Sequence, residues 1–361
     1  MTSAPRLRPL LQQLPGYKPG RRPAPGTTPA RLASNETPHP PLPSVVRAVA
    51  AALDAGNRYP DPTCAELTAA LAERYGLPGA QVAVGCGSVS LVQQLVQITA
   101  DAGEEVLYAW RSFEAYPGFV RVAGAVPVEV PLRGAEHDLH AMADAITPRT
   151  RLVLLCTPNN PTGPALAESD VRAFLGRVPD DVLVVLDEAY AEFVTDPAAV
   201  DGTRLLAEHP NLAVLRTFSK AYGLAGLRVG YCLSGSAEVA AALRRVQVPF
   251  SVSLPAQVAA LASLQAADEL ADRVAAVVAE REPLRKALRE LGSDVPPAQG
   301  NFVWLPAGSD SDRLTAVFED AGVLVRCFSG EGIRVTVTTA QDSERVLAAV
   351  RAAQEGAAQG G

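Results

Sequence analysis

The chain contains no run of about 18 apolar residues, so no transmembrane helix is expected, and no leader pattern of basic, apolar and small residues opens it. The expectation is a soluble cytoplasmic protein. Cysteine is sparse: Cys64, Cys86, Cys156, Cys232 and Cys327 are scattered, odd in number and never spaced C-x-x-C, which indicates neither a disulfide framework nor a zinc site. Histidine numbers four, and its one close pair, His137 and His140, lacks a further credible ligand, so no metal is expected. Basic residues are outnumbered 32 to 39 by acidic ones, the net charge is −7, and the basic runs Arg21-Arg22 and Arg244-Arg245 are only pairs. A nucleic-acid surface is thereby excluded.

What the chain does have is length and apolar content. At 361 residues and 48% hydrophobic it can bury a large core and should divide into about two domains. Nine prolines in residues 1–40 predict an extended arm packed on the body or on a partner. Amphipathic periodicity predicts helices over 43–55 and 63–75. From Gln81 to about Ser234 strands alternate with helices, the pattern of an α/β protein with a mainly parallel sheet flanked by helices. Helices over 255–266 and 268–291 then lead to a smaller α+β unit with strands at Phe302, Leu324 and Ile333. The expected division is an arm at 1–40, a large domain at 41–245 and a small C-terminal domain at 246–361. Pro283 predicts a kink in the long helix, and the Ala/Gln/Gly composition after Ala352 predicts a frayed tail.

Three strand ends carry polar residues in succession. The buried strand at 151–156 runs into Pro158-Asn-Asn-Pro-Thr-Gly163, the one at 181–187 ends in Asp187, and the one at 212–218 runs into Ser219-Lys220. A single loop lysine is ordinarily a solvated residue. In an open α/β sheet, however, ligands bind outside the carboxyl ends of the strands, so Asn, Asp and Lys there face a common site. A pyridine ring bearing an aldehyde, a phenolic oxygen, a ring nitrogen and a phosphate needs such a set. The passage Gln81-Val-Ala-Val-Gly-Cys-Gly-Ser88 moves from a strand through glycines to a helix N-terminus, an anion site. A dinucleotide fingerprint is disfavoured, because Ser90 replaces its third glycine and the next strand ends without a ribose-binding acid.

In order, Tyr17-Lys-Pro-Gly20, Leu32-Ala-Ser-Asn-Glu36, Asn57-Arg-Tyr-Pro-Asp61, the 158–163 turn, Asp187-Glu-Ala-Tyr190, Thr217-Phe-Ser-Lys220, Gly300-Asn-Phe-Val303 and Ile333-Arg-Val-Thr336 resemble the fold-type I pyridoxal-phosphate aminotransferases. The branch is that of the histidinol-phosphate and aromatic amino acid enzymes, and the resemblance covers nearly the whole chain. It implies that Lys220 forms a Schiff base with pyridoxal 5′-phosphate and shuttles a proton, while Asp187 pairs with the pyridine nitrogen. It implies that Asn160 and Tyr190 bond the phenolic oxygen, and that Gly87, Ser88, Ser219 and Arg228 hold the phosphate. Phe113 matches a ring that stacks on the cofactor, and core packing is the other reading of it. Tyr59 matches a residue that reaches the neighbouring subunit's cofactor, which implies a homodimer with shared active sites.

For the substrate, the resemblance points to Arg334 on the acid group and Arg326 on the phosphate of histidinol phosphate, though either is also readable as a strand-surface arginine. Tyr17 and Asn35 would line the same pocket. Val89 stands where histidinol-phosphate enzymes commonly carry an acid or amide, and a valine cannot hydrogen-bond an imidazole. An aromatic amino acid donor paired with 2-oxoglutarate and glutamate, in a ping-pong reaction, is therefore preferred; histidinol phosphate is the alternative, and decarboxylation of an amino acid phosphate the third reading. A sensor domain of a transcription regulator is disfavoured, since the arm is too short and too weakly basic to supply a DNA-binding segment.

Overall fold

Seven strands rich in Val and Leu build the central sheet of the computed structural model, which describes residues 5, 7–12, 14 and 28–359. In chain order the strands are β1 (Ala30–Arg31), β2 (Val82–Gly85), β3 (Glu105–Trp110), β4 (Val126–Pro131), β5 (Thr150–Cys156), β6 (Leu183–Asp187), β7 (Leu212–Thr217), β8 (Gly230–Ser234), β9 (Phe302–Pro306), β10 (Val323–Leu324), β11 (Arg326–Phe328) and β12 (Gly332–Thr336). The large sheet has the order β2-β8-β7-β6-β5-β3-β4. Only β8 runs against the rest, pairing antiparallel with β2 and β7.

Side chains alternate between two cores, as the two-residue period of a strand requires. On β6, Val184 and Leu186 join one apolar cluster while Leu183 and Val185 join the other. Both faces are thus covered, which explains why these strands read as continuous apolar runs. Asp187 follows with the parity of Leu183 and Val185, so it faces the second cluster, where Tyr116 is packed.

The carboxyl-terminal part contributes a second, antiparallel sheet of order β11-β12-β9. A two-stranded parallel pair, β1 with β10, ties residues 30–31 to it. Leu32 and Asn35 stay bonded to this carboxyl-terminal part, Leu32 donating to the Leu324 carbonyl and Asn35 to Thr336 Oγ1, while the Asn35 side chain reaches Tyr190, just after β6 of the large sheet.

The expected helices occur at Pro43–Ala52, Ala65–Tyr75, Leu254–Gln265 and Ala267–Glu290, the last a continuous helix with Pro283 inside it. The tail differs from expectation. The helix Ala340–Gln359 continues well past Ala352, because alanine and glutamine have high helix propensity and Val346, Ala349, Val350 and Ala353 bury one face.

Candidate active site

Because β7, β6 and β5 are neighbours, their carboxyl ends set Lys220, Asp187 and Asn160 on one edge of the sheet. Cys156 and Asp187 are register partners, which puts the 157–163 turn beside the acid.

Asp187 is 5% exposed. Its Oδ2 accepts a 2.7 Å hydrogen bond from Tyr116 Oη, and its Oδ1 is buried with no partner among the described residues. Burial pushes its pKa up to about 6, while the tyrosine hydroxyl opposes that rise by stabilising the carboxylate. An orphaned carboxylate oxygen at the mouth of a sheet needs a donor from outside the chain.

Asn160 and Tyr190 are oriented by their neighbours. Asn160 Oδ1 accepts from Arg334 Nη1 at 2.6 Å, so the amide NH2 is directed elsewhere. Tyr190 Oη accepts from Asn35 Nδ2 at 2.9 Å, which reserves its own O–H for donation. Asn35 is fully buried and is held in turn by Thr336 and by Asn301 Nδ2 on its carbonyl oxygen. Two donors are thereby presented at the same end of the sheet.

The β2 exit makes the anion cradle. The helix Gly87–Thr99 begins with no side-chain cap, so its first N–H groups are offered to a ligand. Gly87 adopts φ +77, and a Cβ there would lie 2.6 Å from Arg228 Nη2; only glycine lets the guanidinium cover this turn. Arg228 is itself left-handed, φ 59, and its Nη1 donates to the Ala225 carbonyl. Ser88 and Ser219 are buried at 8% exposure each, and Ser219 is fixed by two hydrogen bonds with Thr217 Oγ1.

Lys220 Nζ donates to the Ser34 carbonyl at 2.9 Å. The side chain keeps part of its surface accessible in the cleft, but its ammonium is desolvated by the walls and repelled by Arg334 and Arg228. Desolvation is the larger cause, and the amine falls to about 7. An amine that loses its proton near neutrality is a nucleophile and a base.

Phe113 is half-buried and meets Tyr116 edge-on at 5.4 Å, within one cluster with Asp187's partner. Val89 is half-buried in the first turn after Ser88. Arg334 is 8% exposed and also donates to the Ala33 carbonyl. Arg326 is engaged by Glu114, whose two carboxylate oxygens lie 2.7 Å from its Nη2. Tyr59 stands apart from these groups, 81% exposed and stacked on Phe250 at 4.4 Å. Tyr17 lies outside the described residues. Among the described residues no group of three His, Cys, Asp or Glu could hold a metal.

Tyr116 and Glu114 were not singled out from sequence. Tyr116 sits three residues after Phe113, a candidate stacking ring, and that nearness was the available signal. Glu114 carries no such signal, because its partner is 212 residues away.

The donor set therefore offers an amine, a partnerless carboxylate oxygen, two oriented donors and an anion cradle around one cleft. The family model for aminotransferase class I and II matches residues 27–350. The chain belongs to that family of pyridoxal-phosphate-dependent transaminases, and its α/β architecture is the fold-type I arrangement. It is 55% identical over 337 residues to an aromatic amino acid aminotransferase of Streptomyces avermitilis, covering 93% of this chain and 94% of that one. A Thermobifida fusca protein of the same name is 53% identical over 348 residues, covering 96% and 97%. Among solved structures, the histidinol-phosphate aminotransferase of Sinorhizobium meliloti, in complex with pyridoxal 5′-phosphate, superposes with TM-score 0.87 at 30% identity, covering 96% of this chain and 98% of that one.

Proposed function

We propose that this protein is an aromatic amino acid aminotransferase that uses pyridoxal 5′-phosphate and passes the amino group to 2-oxoglutarate in two half-reactions. The observation that carries the cofactor is the convergence of Lys220, Asp187 and Asn160 on three adjacent strand ends, with Asp187 Oδ1 buried and unpartnered. The donor set fits the group: Asp187 Oδ1 for the ring nitrogen, Asn160 and Tyr190 for the phenolic oxygen, and Gly87, Ser88, Ser219 and Arg228 for the phosphate. When bound, the cofactor accepts the electron pair left at the substrate α-carbon and stores the amino group between half-reactions.

Lys220 is the amine that would hold the cofactor and, once free, would move the proton at the substrate α-carbon. Its amine at about 7 makes both tasks available near neutral pH. Asp187, held by Tyr116, would keep the ring nitrogen protonated. Arg334 takes the substrate carboxylate, and through Asn160 it couples that end of the substrate to the donor pair. Phe113 packs on the ring, and Asn35, Val89 and Tyr17 border the substrate.

The aromatic substrate rests on the curated relatives and on Val89, an apolar side chain beside the anion cradle. Histidinol phosphate is the second reading, favoured by the structural neighbour. The proposed division is an arm at 1–40, a large domain at 41–245 and a small domain at 246–361; its support is that β2–β8 form one sheet and β9, β11 and β12 another. A cytoplasmic homodimer is the proposed working form, with Tyr59 supplied across the interface. Its support is the exposed apolar surface of Tyr59, Phe250 and Val248.

The test is to load the protein with cofactor and add phenylalanine or histidinol phosphate separately, following the visible absorbance and the product. Phenylalanine should bleach the band and yield phenylpyruvate. Bleaching by histidinol phosphate alone would overturn the substrate, and CO2 release would overturn transamination.

A further inference from the structure

Arg326 and Arg334 face each other across an antiparallel rung, Arg326 on β11 opposite Arg334 on β12. Directly opposed residues project from the same face of a sheet, so both guanidinium groups border the same cleft. Like charges at this spacing repel unless each is answered. Arg334 donates to the oxygens of Asn160 and Ala33, and Arg326 donates to a carboxylate, with Glu114 Oε1 and Oε2 both 2.7 Å from Nη2.

The Glu114 carboxylate comes from the large-sheet side. It immediately follows Phe113 in the β3 exit and precedes the helix Tyr116–Ala123 that carries the Asp187 partner. The pair is partly shielded, with side chains 33% and 18% exposed. The guanidinium of Arg326 lies 5.9 Å from the Phe328 ring. One end of the cleft is therefore a neutralised charge pair beside aromatic surface. An uncharged ring meets no charge penalty there, while a phosphate or a second carboxylate meets the Glu114 charge before it reaches Arg326.

We propose that Glu114 is a specificity-determining residue: by holding Arg326 it disfavours substrates that bring a phosphate or a second carboxylate to that arginine, relative to those with one carboxylate and an uncharged ring. This deepens the aromatic assignment and rests on it. It also implies that the dicarboxylate acceptor binds against the same resistance.

The experiment compares the cofactor-loaded wild type with Glu114→Gln, which keeps the side chain's size and removes its charge. Steady-state kcat/KM is measured for phenylalanine, histidinol phosphate and 2-oxoglutarate. The expected result is an absolute gain of about 2- to 5-fold for histidinol phosphate and a lower KM for 2-oxoglutarate, the scale of one partly exposed charge contact. A misfolded or loosened variant cannot produce a gain. No gain for either the phosphate or the dicarboxylate substrate, or a parallel fall for all three, would overturn the role of Glu114. The aromatic assignment fails separately, if the wild type itself prefers histidinol phosphate to phenylalanine.

Discussion

Tyr116 Oη donates a 2.7 Å hydrogen bond to Asp187 Oδ2 while Asp187 Oδ1 stays buried without a partner among the described residues. One oxygen is fixed by the protein and the other is reserved, so the acid's orientation is set before any ligand arrives. Tyr116 is itself completely buried.

Tyr116→Phe removes one hydroxyl from this arrangement and leaves the ring packing. A hydrogen bond to a charged group contributes about 1.5–3 kcal/mol. Asp187 should then hold its proton to a higher pH, and the Kd for pyridoxal phosphate, measured by equilibrium dialysis, should rise by about tenfold or more. An unchanged Kd would mean that Tyr116 only fills space.

The lowered pKa of Lys220 is also a statement about stability without cofactor. Its folded value of about 7 lies below the ordinary lysine value of 10.5, so the unfolded chain binds the extra proton between these pH values and stability rises with pH there. The penalty of the buried ammonium is complete below about 7 and disappears as pH rises towards 10.5. Lys220→Met should therefore raise the Tm of the cofactor-free protein at pH 6, and the advantage should shrink steadily up to pH 10. An advantage independent of pH would contradict the desolvation argument.

Two glycines at the anion cradle should behave differently on substitution by alanine. At Gly87 the new Cβ meets the tip of Arg228, a side chain that can move, so the main loss is in cofactor affinity, with a strain of about 1–3 kcal/mol from φ +77. At Gly230 it would lie 2.5 Å from the backbone nitrogen of Ser88, which cannot move without displacing the helix start. Gly230→Ala should lower Tm much more than Gly87→Ala, and thermal melts with and without inorganic phosphate separate the two effects.

Arg334→Lys keeps the charge but loses the planar fork that serves Asn160 and Ala33 together. The expected result is a KM for phenylalanine at least about 10-fold higher, together with a shift in the pH dependence of the visible band, because Asn160 loses the partner that orients its amide. A change in KM with the band untouched would confine Arg334 to substrate binding.

The strand-ending polar residues were legible because a parallel sheet buries both faces, so a polar residue after a long apolar run marks a strand exit. Asp187, Asn160 and Lys220 are all of this kind. Gly87 and Ser88 were legible for a related reason, as glycines between a strand and a helix. The hydrogen-bond partners were not. Tyr116 reaches Asp187 across 71 residues and Glu114 reaches Arg326 across 212, and both contacts depend on strand order, which no local pattern encodes. The tail is helical rather than frayed because the helical propensity of alanine and the apolar face it presents outweigh the tendency of a terminus to fray.

Lys220 carries the central claim, and a covalent label tests it most directly. The cofactor-loaded protein is reduced with borohydride, digested, and the peptides weighed. The account predicts one stable cofactor adduct, on the peptide containing Lys220, and none when phenylalanine has first discharged the enzyme. An adduct on the chain's other lysines, or no adduct in a protein that still transaminates, would contradict it.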